Sequence, residues 1–83
     1  MNTDYLRYFS TLAELQHYGN AAKELNISQP GLSHAIHSLE KDYGLPLFEK
    51  TGRNVRLSPY GLEIKKIYRC HFKQLGRIRT DHL

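Results

Sequence analysis

The chain has 83 residues, of which 40% are hydrophobic and 24% charged, so it holds one small domain and has no room for a second. Its single cysteine, Cys70, excludes an internal disulfide framework, and no apolar run approaches the roughly 20 residues of a membrane span. The formal net charge is +4 and the N-terminus has no basic region followed by an apolar stretch, so we expect a soluble, cytoplasmic protein.

Two helices are predicted before residue 26. Between Thr3 and Gln16 the apolar residues recur at intervals of three and four, the spacing of one face of helix 1. Gly19 and Asn20 interrupt this pattern. Asn20 is the expected N-cap of a short helix 2 from Ala21 to Leu25, whose start could also lie earlier.

A third helix follows after three residues. Ser28 can cap it, Pro30 is tolerated in its first turn, and Gly44 stops it. Its apolar stripe consists of Leu32, Ile36, Leu39 and Tyr43. Two helices joined by so short a turn, with small and apolar residues around it, predict a helix-turn-helix.

The period then changes from helical spacing to alternation. Leu47 and Phe48 lead into a turn cluster at residues 51–54, and residues 55–57 alternate apolar, polar, apolar, which predicts two short strands around a basic loop. Ser58 followed by Pro59 predicts the start of a long helix. If it continues to Arg79 it spans about 30 Å, more than a small core can cover.

The face of helix 3 opposite the apolar stripe suits the floor of a DNA major groove. Glutamine can bridge an adenine edge, serine can bond a base or a phosphate, and proline can touch a thymine methyl group. An arginine on the basic loop can enter a narrow minor groove. This face carries Gln29, Pro30, Ser33, His34, His37 and Lys41.

Charge is divided unevenly along the chain. Residues 1–44 have a net charge of −2 and the remainder +6, since nine bases there face three acids. A positive field in one part of a small domain suits binding to nucleic acid or to an acidic membrane surface. A basic helix that is only exposed to solvent would give the same net charges.

The combined spacing resembles the signature of LysR-type transcriptional regulators. The resemblance rests on Ala21, Ala22, Leu25, Ile27, Ser28, Gln29, Pro30, Leu32, Ser33, Ile36, Leu39 and Glu40, continued by Gly44, Leu47, Phe48, Glu49, Arg53, Leu57 and Gly61. It implies a mainly α fold: a winged helix-turn-helix with a three-helix core and a two-stranded wing over residues 1–58, and a linker and dimerisation helix over residues 59–83. It also implies a bacterial regulator whose recognition helix reads the major groove of an interrupted palindromic operator while the wing enters the adjacent minor groove.

The resemblance assigns residues to this interface by motif match. Gln29, Pro30 and Ser33 would contact DNA from helix 3, and Arg53 would be the wing arginine. With their neighbours, the expected DNA-binding set is Ser28, Gln29, Pro30, Ser33, His34, His37, Lys50 and Arg53. His34 and His37 depart from the family, which often has basic residues there. Members of the family normally continue into an effector-binding domain, so we expect a DNA-binding fragment rather than a stand-alone relative.

The last helix carries an apolar stripe with a 3.5-residue period. If this stripe packed on the domain's own core, its residues in the first two turns of the helix would be buried. The core cannot reach the residues of the stripe that lie some 20 Å further along the helix. A partner helix is the better account, so a homodimer is expected through Ile64, Tyr68, His71, Leu75 and Ile78.

Catalysis and metal binding are weaker readings of the same residues. His34 and His37 have the i, i+3 spacing of some metal sites, but the sequence places no third ligand near them. Cys70 and His71 are adjacent, so on a helix they point about 100° apart. We therefore expect no enzyme, no cofactor and no metal. The remaining alternative is a winged-helix module that binds a protein through helix 3.

Overall fold

The structure is a computed structural model that describes the backbone of residues 3–76 and the side chains of residues 4–67. Over those residues the elements in chain order are α1 (Thr3–Leu15), α2 (Tyr18–Leu25), α3 (Gln29–Tyr43), β1 (Phe48–Thr51), β2 (Asn54–Leu57) and α4 (Pro59–Gly76). The predicted architecture of three helices, a two-stranded wing and a further helix is confirmed.

The core lies where α1, α2 and α3 meet and is closed by the root of the wing. The predicted stripes of α1 and α3 face it, and Tyr43 and Ile64 pack against its edge, partly buried. Its buried members are Phe9, Leu12, Ala21, Ala22, Leu32, Ile36, Leu39, Leu47 and Val55. Most of these buried residues recur in the sequence at the helical spacing of three and four. Because the turns between the helices are short, the helices can pack in few ways, and this spacing predicts most of the core.

Helix 2 starts earlier than Ala21, the alternative that the sequence left open, and the expected N-cap Asn20 is wrong. Helix α2 begins at Tyr18, and its N-cap is His17, whose backbone is extended (φ −153°, ψ 119°). The Nδ1 atom of His17 accepts a hydrogen bond from the Asn20 N–H at 3.0 Å, so Asn20 lies inside the helix. The preceding helix ends at Leu15, one residue before the predicted limit, because Gln16 takes a left-handed conformation (φ 59°).

Both predicted ends of α3 are confirmed. The Ser28 hydroxyl accepts a hydrogen bond from the Gly31 N–H at 3.0 Å, with Pro30 in the first turn. Gly44 ends the helix in a left-handed conformation (φ 70°), and its N–H donates to the Glu40 carbonyl. The helix-turn-helix therefore has the boundaries that local chemistry dictates.

The wing is an antiparallel hairpin with a turn at Gly52 and Arg53. Its register pairs Phe48 with Leu57 and Thr51 with Asn54. The Val55 N–H donates to the Gln16 carbonyl at 3.0 Å, and the Phe48 ring lies edge-on to the Phe9 ring, with the two centroids 5.5 Å apart. These contacts attach both strands to α1.

Helix α4 begins at Pro59 as predicted. The buried Ser58 hydroxyl accepts a hydrogen bond from the Gly61 N–H at 3.0 Å and donates one to the Pro46 carbonyl. The Ser58 N–H donates to the Leu47 carbonyl at 2.9 Å. These bonds attach the first turn of α4 to the segment that leads into β1. The predicted end at Arg79 lies outside the described residues.

Candidate nucleic-acid interface

The outer face of α3 is polar and open to solvent. The predicted contact residues Gln29, Pro30, His34 and His37 are exposed, while Ser33 is half-buried. A regular helix holds these groups on one face because residues three and four apart are neighbours on its surface. No large apolar side chain lies among them, so this face has the character that a hydrated partner such as DNA requires.

Two side chains of this face contact each other in a way that sequence reasoning missed. The Ser33 hydroxyl lies 3.5 Å from the Nδ1 atom of His37, at the i, i+4 spacing of a helix. Which atom donates depends on the tautomer of the imidazole. Ser28 is also engaged, since its hydroxyl oxygen caps the helix. Because the Ser28 hydroxyl acts as an acceptor in the cap, its own proton can still be donated to a phosphate or a base.

The wing presents two exposed cations, Lys50 and Arg53. Among the described residues neither forms an ion pair, whereas Arg56 pairs across the hairpin with Glu49 at 3.5 Å. An exposed pair of this kind contributes little stability, but it offsets the charge of Arg56. The positive charge at the turn of the wing therefore belongs to Lys50 and Arg53.

The start of α3 and the turn of the wing border one concave surface. Gln29, Lys50 and Arg53 all line it. The rest of its lining comes from the start of α2 and from the second strand: His17, Tyr18, Gly19, Gly52, Asn54 and Val55. The structure thus brings one predicted residue of the recognition helix, Gln29, together with the two predicted residues of the wing. The other predicted residues of the recognition helix do not line this surface: Ser28, Pro30, Ser33, His34 and His37. His17 is an addition that the sequence pattern did not indicate.

Near the C-terminal end of α3, the carboxylate of Glu40 connects this helix to the wing. Its Oε2 atom accepts hydrogen bonds from the N–H groups of Leu47 at 2.8 Å and of Phe48 at 3.3 Å. Burial, and to a smaller extent the negative charge of Glu40, raises the pKa of the Tyr18 phenol above its usual range. Glu40 was matched to a family position but had no predicted role, because its partners lie across a turn.

The described part of the predicted dimer stripe is short. Ile64 is half-buried against the domain's own core, while Ile67 has 62% of its surface exposed. The side chains of Tyr68, His71 and Leu75, and the whole of Ile78, lie outside the described residues.

The described residues contain no group of three or more His, Cys, Asp or Glu side chains that could hold a metal ion. In the same part of the chain, no helix is both long and apolar enough to span a membrane.

Comparison with known proteins places this geometry in a family. Residues 3–62 match the family model of the bacterial regulatory helix-turn-helix proteins of the lysR family. The chain belongs to the lysR family. A LysR-family relative, an uncharacterised transcriptional regulator YybE of Bacillus subtilis (strain 168), is 49% identical over 61 residues, which cover 74% of this chain. The same segment is 21% of that relative, so the chain spans about a fifth of its length.

Solved structures of LysR-family domains have the same shape. The chain is similar to the BenM DNA-binding domain in complex with benA site 1 DNA, with a TM-score of 0.85, 31% identity, and coverage of 96% of this chain and 93% of that one. It is also similar to the CbnR DNA-binding domain in complex with DNA, with a TM-score of 0.76, 29% identity and full coverage of both chains.

Proposed function

We propose that this chain binds double-stranded DNA as part of a LysR-type transcriptional regulator, with α3 in the major groove and the wing in the adjacent minor groove. The observation that carries the proposal is the concave surface that Gln29 shares with Lys50 and Arg53. A side chain that can read base edges and two cations that can neutralise phosphates thus face the same space.

The exposed groups on each element suit the groove assigned to it. Gln29 can form two hydrogen bonds with an adenine edge, and Ser33 and Pro30 can contact a base and a thymine methyl group. Arg53 offers a fork of donors on a short turn, which fits the negative potential of a narrow minor groove. The resemblance to the BenM and CbnR domains in DNA complexes supports this arrangement.

A palindromic operator needs two copies of the domain, because one recognition helix reads one half-site. We assign residues 1–58 to DNA binding and residues 59–83 to a helix that pairs with its copy in a homodimer. The exposed Ile67 supports this assignment, since it widens the apolar stripe beside Ile64. The regulator acts in the bacterial cytoplasm and without catalysis.

Selection of bound sequences from a random duplex pool tests the proposal. We expect an enriched, two-fold-related motif, and an affinity whose logarithm falls linearly with the logarithm of salt concentration. Replacing Lys50 by alanine should reduce that slope by about one if Lys50 contacts a phosphate. A module that binds a protein through α3 would instead enrich no motif and show weak salt dependence with its partner. That result would contradict the proposal.

A further inference from the structure

We infer that Glu40 is a positioning residue for DNA recognition: its carboxylate attaches the root of the wing to α3 and thereby sets where Arg53 lies relative to Gln29. The inference rests on the proposed function, because the placement of the wing has a consequence only if Arg53 contacts DNA. Glu40 itself lies near the C-terminal end of α3, where its carboxylate is engaged with backbone donors, and it is not assigned a contact with the nucleic acid.

The hydrogen bonds of Glu40 are suited to this role. One carboxylate oxygen accepts from two successive backbone N–H groups, of Leu47 and Phe48, at 2.8 and 3.3 Å. Phe48 is the first residue of β1. Hydrogen bonds to an ionised acceptor are about twice as strong as neutral ones, and two donors on one oxygen fix a direction as well as a distance. The last turns of α3 thus determine how β1 leaves the core.

Apolar side chains at the root of the wing pack on the shared core, and the remaining directional contacts of the wing attach it to elements other than α3. Val55 is bonded to Gln16 at the end of α1, and Phe48 packs against Phe9 of α1. Leu47 is bonded through its carbonyl to Ser58 before α4. None of these three fixes the wing to the recognition helix, whereas the bonds of Glu40 do so directly.

The charge of Glu40 fits the same account. A carboxylate on the DNA-binding face of a basic domain repels phosphates and reduces affinity. Glu40 is half-buried, and its oxygen is directed to backbone donors of the same chain. Asp42 lies two residues further along α3 and is exposed. It carries the same charge and therefore serves as a matched control.

A double-mutant cycle between Glu40 and Arg53 tests the inference. We measure the affinity of E40A, R53A and the double variant for the selected duplex and for a random duplex at one salt concentration. D42A controls for the lost charge, and circular dichroism with thermal unfolding checks the fold. We expect E40A to bind the selected duplex about tenfold more weakly than D42A does, as for residues that share a network. In the R53A background the loss from E40A should shrink to less than about threefold.

Rescue by the conservative variant distinguishes placement from folding. E40Q keeps an oxygen acceptor without the charge, so its affinity should fall between those of E40A and the unmodified domain. If E40A does not fold, the cycle is repeated with E40Q, for which we expect about a threefold loss that again disappears without Arg53.

Three outcomes overturn the inference. The first is an E40A affinity equal to that of D42A, and the second is an equal loss in both Arg53 backgrounds. Both leave the proposed function intact, provided R53A alone weakens binding. The third is an R53A variant that binds as tightly as the unmodified domain, which contradicts the wing contact in the proposed function and the inference with it.

Discussion

Gly61 lies directly against the backbone of Leu47. A Cβ atom on Gly61 would overlap the Leu47 carbonyl oxygen and would lie 2.9 Å from the Cδ2 atom of Leu57. The same carbonyl accepts the Ser58 N–H at 2.9 Å. The first turn of α4 therefore rests on the segment that connects α3 to the wing, with no space for a side chain between them.

Replacing Gly61 by alanine should destabilise the domain. The added methyl group meets backbone rather than a flexible side chain, so α4 must shift, and overpacking of this kind costs about 1 to 3 kcal/mol. Urea unfolding followed by circular dichroism measures the difference. Glu63→Ala is the matched control on the same helix, because its side chain is 71% exposed and its ion pair with Lys66 is superficial. We expect that variant to stay within about 0.5 kcal/mol of the unmodified domain.

The His17 cap should stabilise the domain. Its Nδ1 atom accepts a hydrogen bond from the Asn20 N–H, one of the donors that the first turn of a helix leaves without a partner inside the helix. His17→Ala removes this acceptor and should cost about 0.5 to 2 kcal/mol, as for other N-caps.

His17→Asn is the control for this substitution, because an asparagine side chain also accepts a hydrogen bond at the N-cap position. Urea unfolding followed by circular dichroism measures the stability of both variants. We expect His17→Asn to stay close to the unmodified domain. A His17→Ala variant as stable as the unmodified domain would show that the cap contributes nothing.

Arg53→Ala should weaken specific binding by about 1 to 3 kcal/mol, because its guanidinium offers a fork of donors to base edges in the minor groove. Lys50→Ala should weaken binding to all sequences alike, since an ammonium contacts phosphate as a point charge. Titration of labelled selected and random duplexes at equal salt separates the two effects. If Arg53→Ala binds its best operator as tightly as the unmodified domain, the wing does not read DNA.

The apolar stripe predicted from the sequence of residues 59–83 should hold a dimer together. Leu75→Asp or Ile78→Asp is expected to abolish the dimer at high protein concentration while the core of α1 to α3 stays folded. Lys73→Asp, which lies off the stripe by helical spacing, is the control. Gly76 costs roughly 1 kcal/mol relative to alanine within a helix, so we expect weak pairing. Sedimentation equilibrium measures it, and a monomeric mass at high concentration would contradict the homodimer.

Much of the fold could be predicted because its boundaries depend on neighbouring residues. Ser28 and Gly44 bound α3, and Ser58 with Pro59 starts α4, each through chemistry that acts within one helical turn. The periodicity of the apolar residues then located the core. The residues of α3 that lie opposite its buried stripe could then be predicted to form its exposed face.

The parts that escaped prediction depend on unusual caps or on contacts between elements. Histidine is not a preferred N-cap, and its ring fits at the start of α2 because Gly19 has no side chain. A Cβ atom there would lie 3.0 Å from the Cε1 atom of His17. The partners of Glu40 are seven and eight residues away, beyond a turn whose path no local pattern fixes.

The hairpin that forms the wing has only four residues in each strand, too few for a two-stranded sheet to be stable alone in water. Contacts that Leu47, Phe48 and Val55 make with the rest of the domain hold the hairpin in place. All three of these anchoring residues lie outside the turn. The turn itself, which carries Arg53, contributes none of these anchors. Mutations in the turn can therefore change which DNA sequence the wing recognises without changing the position of the wing. Related proteins can thus acquire new operators while they keep the same fold.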